Sequence, residues 1–116
     1  MLFRSVTAAF NLNLLGRINR ELDGDFDLRQ FEHVARFNKA ARSIEMHLRS
    51  KRQQVVNVRR GGFAVTFRAG ETIWTESSHK YTLLEIAELA VSGGFRTEAQ
   101  WVDDEWPFAE NLLFAV

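Results

Sequence analysis

From Ser43 to Ser50 the chain alternates strictly, with Ile44, Met46 and Leu48 on one parity and Glu45, His47 and Arg49 on the other. That period of two fits a half-buried β-strand and no helix, because successive side chains of a strand point to opposite faces. Further strands are expected on either side: Glu32 to Asn38, of mixed polarity, then Val55 to Val58, Phe63 to Arg68 and Thr72 to Ser78. Between them stand turn signals at 38–42, at Lys51-Arg52-Gln53-Gln54, at Arg59-Arg60-Gly61-Gly62 and at Ala69-Gly70-Glu71, the last short enough to close a hairpin. The expectation is an antiparallel meander of four or five short strands.

Helices bracket this region. Phe10, Leu14, Ile18 and Leu22 recur at four-residue spacing, with Leu15 widening the stripe, so Thr7 to Leu22 is expected to be amphipathic and helical with Thr7 as N-cap. Asn11, Asn13 and Asn19 are poor helix formers; inside the helix they read as satisfying backbone groups, with a ligand contact as the alternative. Asp23-Gly24-Asp25 ends the helix, and Gly24 suits a left-handed cap. Asp27 opens a short helical turn before Phe31. Further on, Thr82 and Glu85 form a T-x-x-E capping box, Tyr81 and Ile86 the positions of a hydrophobic staple, and Gly93-Gly94 a stop. Phe95 to Val102 and Phe108 to Val116 are expected as strands joined by a turn over 103–107.

Composition narrows the chemistry. One domain at most fits 116 residues, and 46% hydrophobic content argues for a folded chain. Fifteen basic residues balance fifteen acidic ones, which gives no reason to expect nucleic acid or an anionic membrane as partner. With no cysteine, disulfides, thiolate metal sites and thiol catalysis are excluded. No apolar run approaches the roughly 20 residues of a membrane span, and MLFRSVTAAF lacks the apolar core of a signal peptide. A cytoplasmic protein is the default expectation.

His33, His47 and His79 are too scattered for a metal-ligand spacing. Gly61-Gly62 and Gly93-Gly94 are isolated pairs, not a glycine-rich nucleotide cradle. Lys51, Arg52, Arg59 and Arg60 lack interleaved aromatics and read as solvated turns. The stretch that could carry recognition is Thr75-Glu76-Ser77-Ser78-His79-Lys80-Tyr81. Alternation puts Trp74, Glu76 and Ser78 on one face, either a solvated sheet face or a small polar patch beside an indole.

The runs TAAFNLNLLGRINRELDGDFDLRQFEHVARFN, RSIEMHLRS, GETIWTESSHKYT, AELAVSGGF and EAQWVDDEW, in that order, resemble the histidine-specific, S-adenosylmethionine-dependent methyltransferases, the family that includes the L-histidine Nα-methyltransferases of ergothioneine biosynthesis. The likeness covers residue 7 to the C-terminus. It implies methyl transfer from S-adenosylmethionine to the α-amino nitrogen of histidine. It also implies an α+β fold: a substrate-binding antiparallel meander flanked by helix and strands belonging to a Rossmann-like methyltransferase sheet. Residues 1–26 would be a helical remnant of the methyltransferase domain, 27–78 the substrate-binding meander, and 79–116 the returning helix and strands.

The family's T-E-x-S pattern, whose Glu and second Ser hold the substrate imidazole, maps onto Glu76 and Ser78. The Met of I-E-M-x-L, which lines the same pocket, maps onto Met46. The family's cofactor-binding strand-loop-helix, and its Asn and Tyr for the substrate amino and carboxylate groups, have no counterpart in this sequence. The chain is therefore expected to be a substrate-recognising C-terminal portion, inactive alone, with Met1 an internal start; a split enzyme and a non-catalytic binding module derived from the family are the alternatives. L-Histidine or a related amino acid is the expected ligand, and an exposed apolar patch or strand edge the expected consequence for association.

Overall fold

A computed structural model of the chain describes residues 2–116, and side chains from Val6 onward. The chain forms two compact units, Met1–His79 and Lys80–Val116. Both mix helix with antiparallel strands, an α+β architecture.

In the first unit, helix α1 (Leu2–Leu22) is followed by a single 3-10 turn (Leu28–Gln30) and five strands: β1 (Phe31–Asn38), β2 (Ser43–Ser50), β3 (Gln54–Val58), β4 (Phe63–Phe67) and β5 (Thr72–His79). Asp27 caps the 3-10 turn as its sequence position suggested, its carboxylate accepting the Arg29 N–H. β1, β2 and β5 make a three-stranded antiparallel sheet with β2 in the centre, while β3 and β4 pair with each other and β3 also bridges Gly24 through Val58. The arrangement departs from the expected meander. Ala69-Gly70-Glu71 does not close a hairpin between β4 and β5; instead the Gly70 N–H donates to the Ser50 carbonyl and the Ser50 N–H to the Glu71 carbonyl, steering β5 back beside β2. Burial explains the detour. The β3–β4 hairpin gives up Val56, Val58 and Phe67 to one core with Leu15 of α1, Phe31 of β1 and Leu48 of β2. Phe31 and Phe67 meet edge-on with centroids 5.3 Å apart, and Phe26 closes on Phe31 at 5.5 Å.

Helix α1 begins five residues earlier than expected, so Thr7 lies within it and caps nothing. The buried line is also shifted. Asn11, Leu15 and Ile18 face the core, while Phe10, Leu14 and Leu22 are exposed. A polar residue in the buried row hid that row from a reading based on apolar spacing. After the helix, Asp23 takes the left-handed conformation at φ 50°, not Gly24. Gly24 is needed for closeness: a Cβ there would come 2.9 Å from Asn19 Oδ1. Asn19 uses that space to grip the Phe26 backbone twice, donating to its carbonyl and accepting from its N–H, both at 2.9 Å.

The second unit contains α2 (Leu83–Ser92), β6 (Phe95–Val102) and β7 (Ala109–Ala115). Its capping box is complete: the Glu85 N–H donates to Thr82 Oγ1 and the Thr82 N–H to Glu85 Oε1. Gly94, at φ 85°, turns the chain out of the helix into β6. β6 and β7 form a two-stranded ribbon, and of this unit's large side chains Trp101, Phe108 and Val116 are all exposed.

Candidate functional site

Three residues were singled out by the sequence, and the β2–β5 pairing sets two of them directly opposite one another. Met46 is the cross-strand partner of Glu76, and the next pair toward the end of the sheet on that face joins Ile44 to Ser78. Opposed residues of an antiparallel pair share a face. Glu76 and Ser78 therefore lie on the same side as Met46 and Leu48, the side that packs on α1. Glu76 is exposed and Ser78 half-buried.

Trp74 is not with them. The register shifts between Met46 and His47: Met46 pairs with Glu76 while His47 pairs with Trp74, leaving Thr75 as an extra residue in β5. That β-bulge breaks the alternation, so Thr75 and Glu76 both face α1 and Trp74 points to the opposite side. The expected triplet of Trp74, Glu76 and Ser78 on one face is corrected to a pair, with Met46 in place of the indole.

On the α1 side, the bulge is tied to the helix. The Thr75 hydroxyl holds its one proton between two acceptors, Asn11 Oδ1 at 2.7 Å and the Met46 carbonyl at 3.0 Å. Asn11 is only 4% exposed and uses its whole amide. Its Nδ2 donates to the His47 carbonyl at 3.2 Å and to His33 Nδ1 at 2.8 Å, which leaves the proton of a neutral His33 ring on Nε2. Asn11 thereby joins β1, β2 and β5 to the helix. Asn13 is exposed and takes no such part.

The far side carries a second polar cluster. His47 is buried, with Nδ1 3.0 Å from Thr72 Oγ1 and Nε2 2.8 Å from Glu45 Oε1. Its ring stacks on Trp74, centroids 5.9 Å apart. Glu45 also accepts from Asn38 Nδ2 at 3.0 Å. The Asn38 hydrogen bond first, and the His47 ring second, hold the Glu45 carboxyl below its ordinary range. The carboxylate beside His47 is its neighbour on the same face of β2, as the alternation of Glu45 and His47 along Ser43–Ser50 implied. Among the described residues no group of three or more His, Cys, Asp or Glu side chains is placed to hold a metal ion.

A groove of about 280 Å³ runs between α1 and the sheet, walled by Leu14, Ile18 and Leu22 on the helix and Leu48 and Ile73 on the strands. Thr75 reaches its edge, but Met46, Glu76 and Ser78 do not line it. No described helix is long and apolar enough to cross a membrane.

A sequence profile of the family described as histidine-specific methyltransferase, SAM-dependent, matches residues 3–115. Among curated proteins, the chain is 42% identical over 107 residues to the histidine N-alpha-methyltransferase of Mycolicibacterium smegmatis. It is 45% identical over 108 residues to the protein of the same name from Mycobacterium tuberculosis. Each match covers 92% of this chain and 33% of the relative, so the chain spans about a third of the length of the curated relatives it matches.

Proposed function

Because the chain belongs to the histidine-specific, SAM-dependent methyltransferase family, we propose that it is the substrate-recognising, C-terminal portion of a histidine Nα-methyltransferase of the ergothioneine-forming type. The observation that carries this reading is the pairing of Glu76 with Met46, with Ser78 one step along the same face. Glu76 accepts an imidazole N–H, the Ser78 hydroxyl pairs with the other ring nitrogen, and the Met46 thioether lies against the ring as an adaptable apolar wall. An imidazole offers one donor and one acceptor on opposite sides of a flat ring, and this trio supplies a partner for each. L-Histidine, or an amino acid with a similar side chain, is the ligand proposed for this chain.

Within that reading, residues 27–78 form most of the substrate-binding part. Residues 1–26 and 79–116 belong to a Rossmann-like methyltransferase domain whose remaining strands lie outside this sequence. The described residues do not fit S-adenosylmethionine. Gly61-Gly62 sits in the β3–β4 turn and Gly93-Gly94 at the end of α2, so neither pair opens a helix N-terminus where a strand-loop-helix cradle would hold the cofactor. No methyl-transfer step is assigned to these side chains. The cofactor is bound by the two-thirds of the family's length that this chain does not span, and the chain alone is inactive.

Titration of the chain with L-histidine tests the reading. Glu76→Ala removes one charge-assisted hydrogen bond, a loss of about 1.5–3 kcal/mol, and should weaken binding by one to two orders of magnitude. Binding that Glu76→Ala leaves unchanged would remove the basis for the proposal. A second reading, a non-catalytic amino-acid-binding module of the same descent, is favoured by the same lack of a cofactor cradle. The two separate in a methyl-transfer assay with the remaining two-thirds of a family protein added: the module stays inactive.

A further inference from the structure

We propose that Asn11 and Thr75 are positioning residues for the substrate pocket. Asn11 holds the Thr75 hydroxyl, and the bulge thus fixed sets Glu76 beside Met46. The inference rests on the histidine-pocket reading and names what holds that pocket in shape.

Consider β5 continued from the Trp74–His47 pair without a bulge. Met46 would face Thr75, and Glu76 would fall opposite Glu45 on the other side of the sheet. Two carboxylates would then be directly opposed, which is unfavourable in a strand pair. The extra residue prevents this by moving Glu76 one position along, onto the Met46 side. An inserted residue has no ladder partner of its own, and the strand bends where it sits. Something must hold the kink in one geometry if the next side chain is to be held within about 0.5 Å of a productive position.

Both faces of the sheet contribute to that hold. On the helix side the Thr75 hydroxyl is fixed by Asn11 Oδ1 and the Met46 carbonyl, and Asn11 is itself fixed by His33 and the His47 carbonyl. On the far side the His47 ring, locked between Thr72 and Glu45, stacks on Trp74, the residue that precedes the bulge. β5 is therefore clamped at two successive residues immediately before Glu76. Asn11 and Thr75 act on the substrate only through Glu76.

The test follows amide shifts of the 116-residue chain during titration with L-histidine, for the unsubstituted chain and for Thr75→Val, Thr75→Ser and Glu76→Ala. Thr75→Val keeps the branched shape and loses the hydroxyl, and it should raise Kd about tenfold, the scale of one hydrogen bond. Thr75→Ser restores the hydroxyl and should return Kd to near the original value. A hydroxyl that served stability alone would lower the melting temperature without moving the Kd of the folded chain. If Thr75→Val fails to fold, Thr75→Ala removes the hydroxyl without added bulk and carries the same expectation. An unchanged Kd in the hydroxyl-less variant, with binding weakened in Glu76→Ala, overturns this inference and leaves the histidine pocket standing. Unchanged binding in Glu76→Ala, or no L-histidine binding by the unsubstituted chain, overturns the pocket reading and this inference with it.

Discussion

His47 and Trp74, partners across β2 and β5, stack with their ring planes 18° from parallel. The indole is 60% exposed and serves as the cover over an imidazole that is itself buried. Both ring nitrogens of His47 are engaged, by Thr72 and by Glu45. Replacing His47 with Ala leaves a void under the indole and strips two polar groups of a partner. The expected cost is about 2–4 kcal/mol, from one or two orphaned groups plus lost ring packing. Urea denaturation of His47→Ala measures it, and a change below about 0.5 kcal/mol, the range of an ordinary surface substitution, would show the stack to be incidental.

The loop after α1 gives a prediction of a different kind. Asn19 replaces two backbone hydrogen bonds that Phe26 would otherwise lack, and Phe26 sits against Phe31 and Phe67. Asn19→Ala should destabilise the chain by about 1–3 kcal/mol, with loss of ordering around Phe26 visible as faster hydrogen exchange of its amide. Asn13→Ala, on the exposed side of the same helix, should be close to neutral and serves as the control.

Acid stability should depend in part on two carboxylates of the first unit, Asp25 and Glu45. Asp25 accepts from the Asn57 N–H at 2.7 Å and from Asn57 Nδ2 at 3.1 Å, and these bonds hold its carboxyl below the ordinary value. Glu45 is lowered in the same direction by Asn38 and His47. A carboxylate with a depressed folded-state pKa binds its proton more readily when unfolded. Its contribution is complete above the unfolded values of 3.8 for Asp and 4.5 for Glu, and is lost as pH falls through the lower folded values. Denaturation midpoints should therefore drop below about pH 4.5, and Asn38→Ala should flatten the Glu45 part of that slope. An acid limb unchanged in Asn38→Ala would count against the Asn38 bond as the main cause.

How much of this was legible in the sequence depends on whether a signal was local. Ser43–Ser50 is a strand over the residues that alternation picked, Phe95–Val102 is a strand over the expected residues, and the Thr82–Glu85 capping box opens α2. Strand partners are not local. A short Gly-containing loop favoured a β4–β5 hairpin, but the core claimed Val56, Val58 and Phe67 and sent β5 to β2. The bulge at Thr75 was invisible for a related reason: period-two reading has no mark for an inserted residue, and the shift appears only when β5 is laid against β2. The motif supplied Glu76, Ser78 and Met46 as candidates; Asn11 and Thr75, which fix the geometry between them, come from two segments whose contact no spacing rule encodes.

The last prediction concerns association. On α1 the apolar residues Val6 and Phe10 are exposed, Phe10 66% accessible, on the side turned away from the buried row through Asn11 and Leu15. A helix with apolar residues on both its inner and outer sides is suited to being covered from both. Exposed apolar area of this kind promotes self-association in water. The isolated chain should therefore scatter light as oligomers at high concentration. Val6→Glu with Phe10→Lys, an i,i+4 charge pair on the same outer face, should shift it toward monomer without loss of the core, since neither side chain belongs to the buried cluster. A monomer at high concentration before any substitution would mean that this face is not adhesive, and the double variant would then show no change in size.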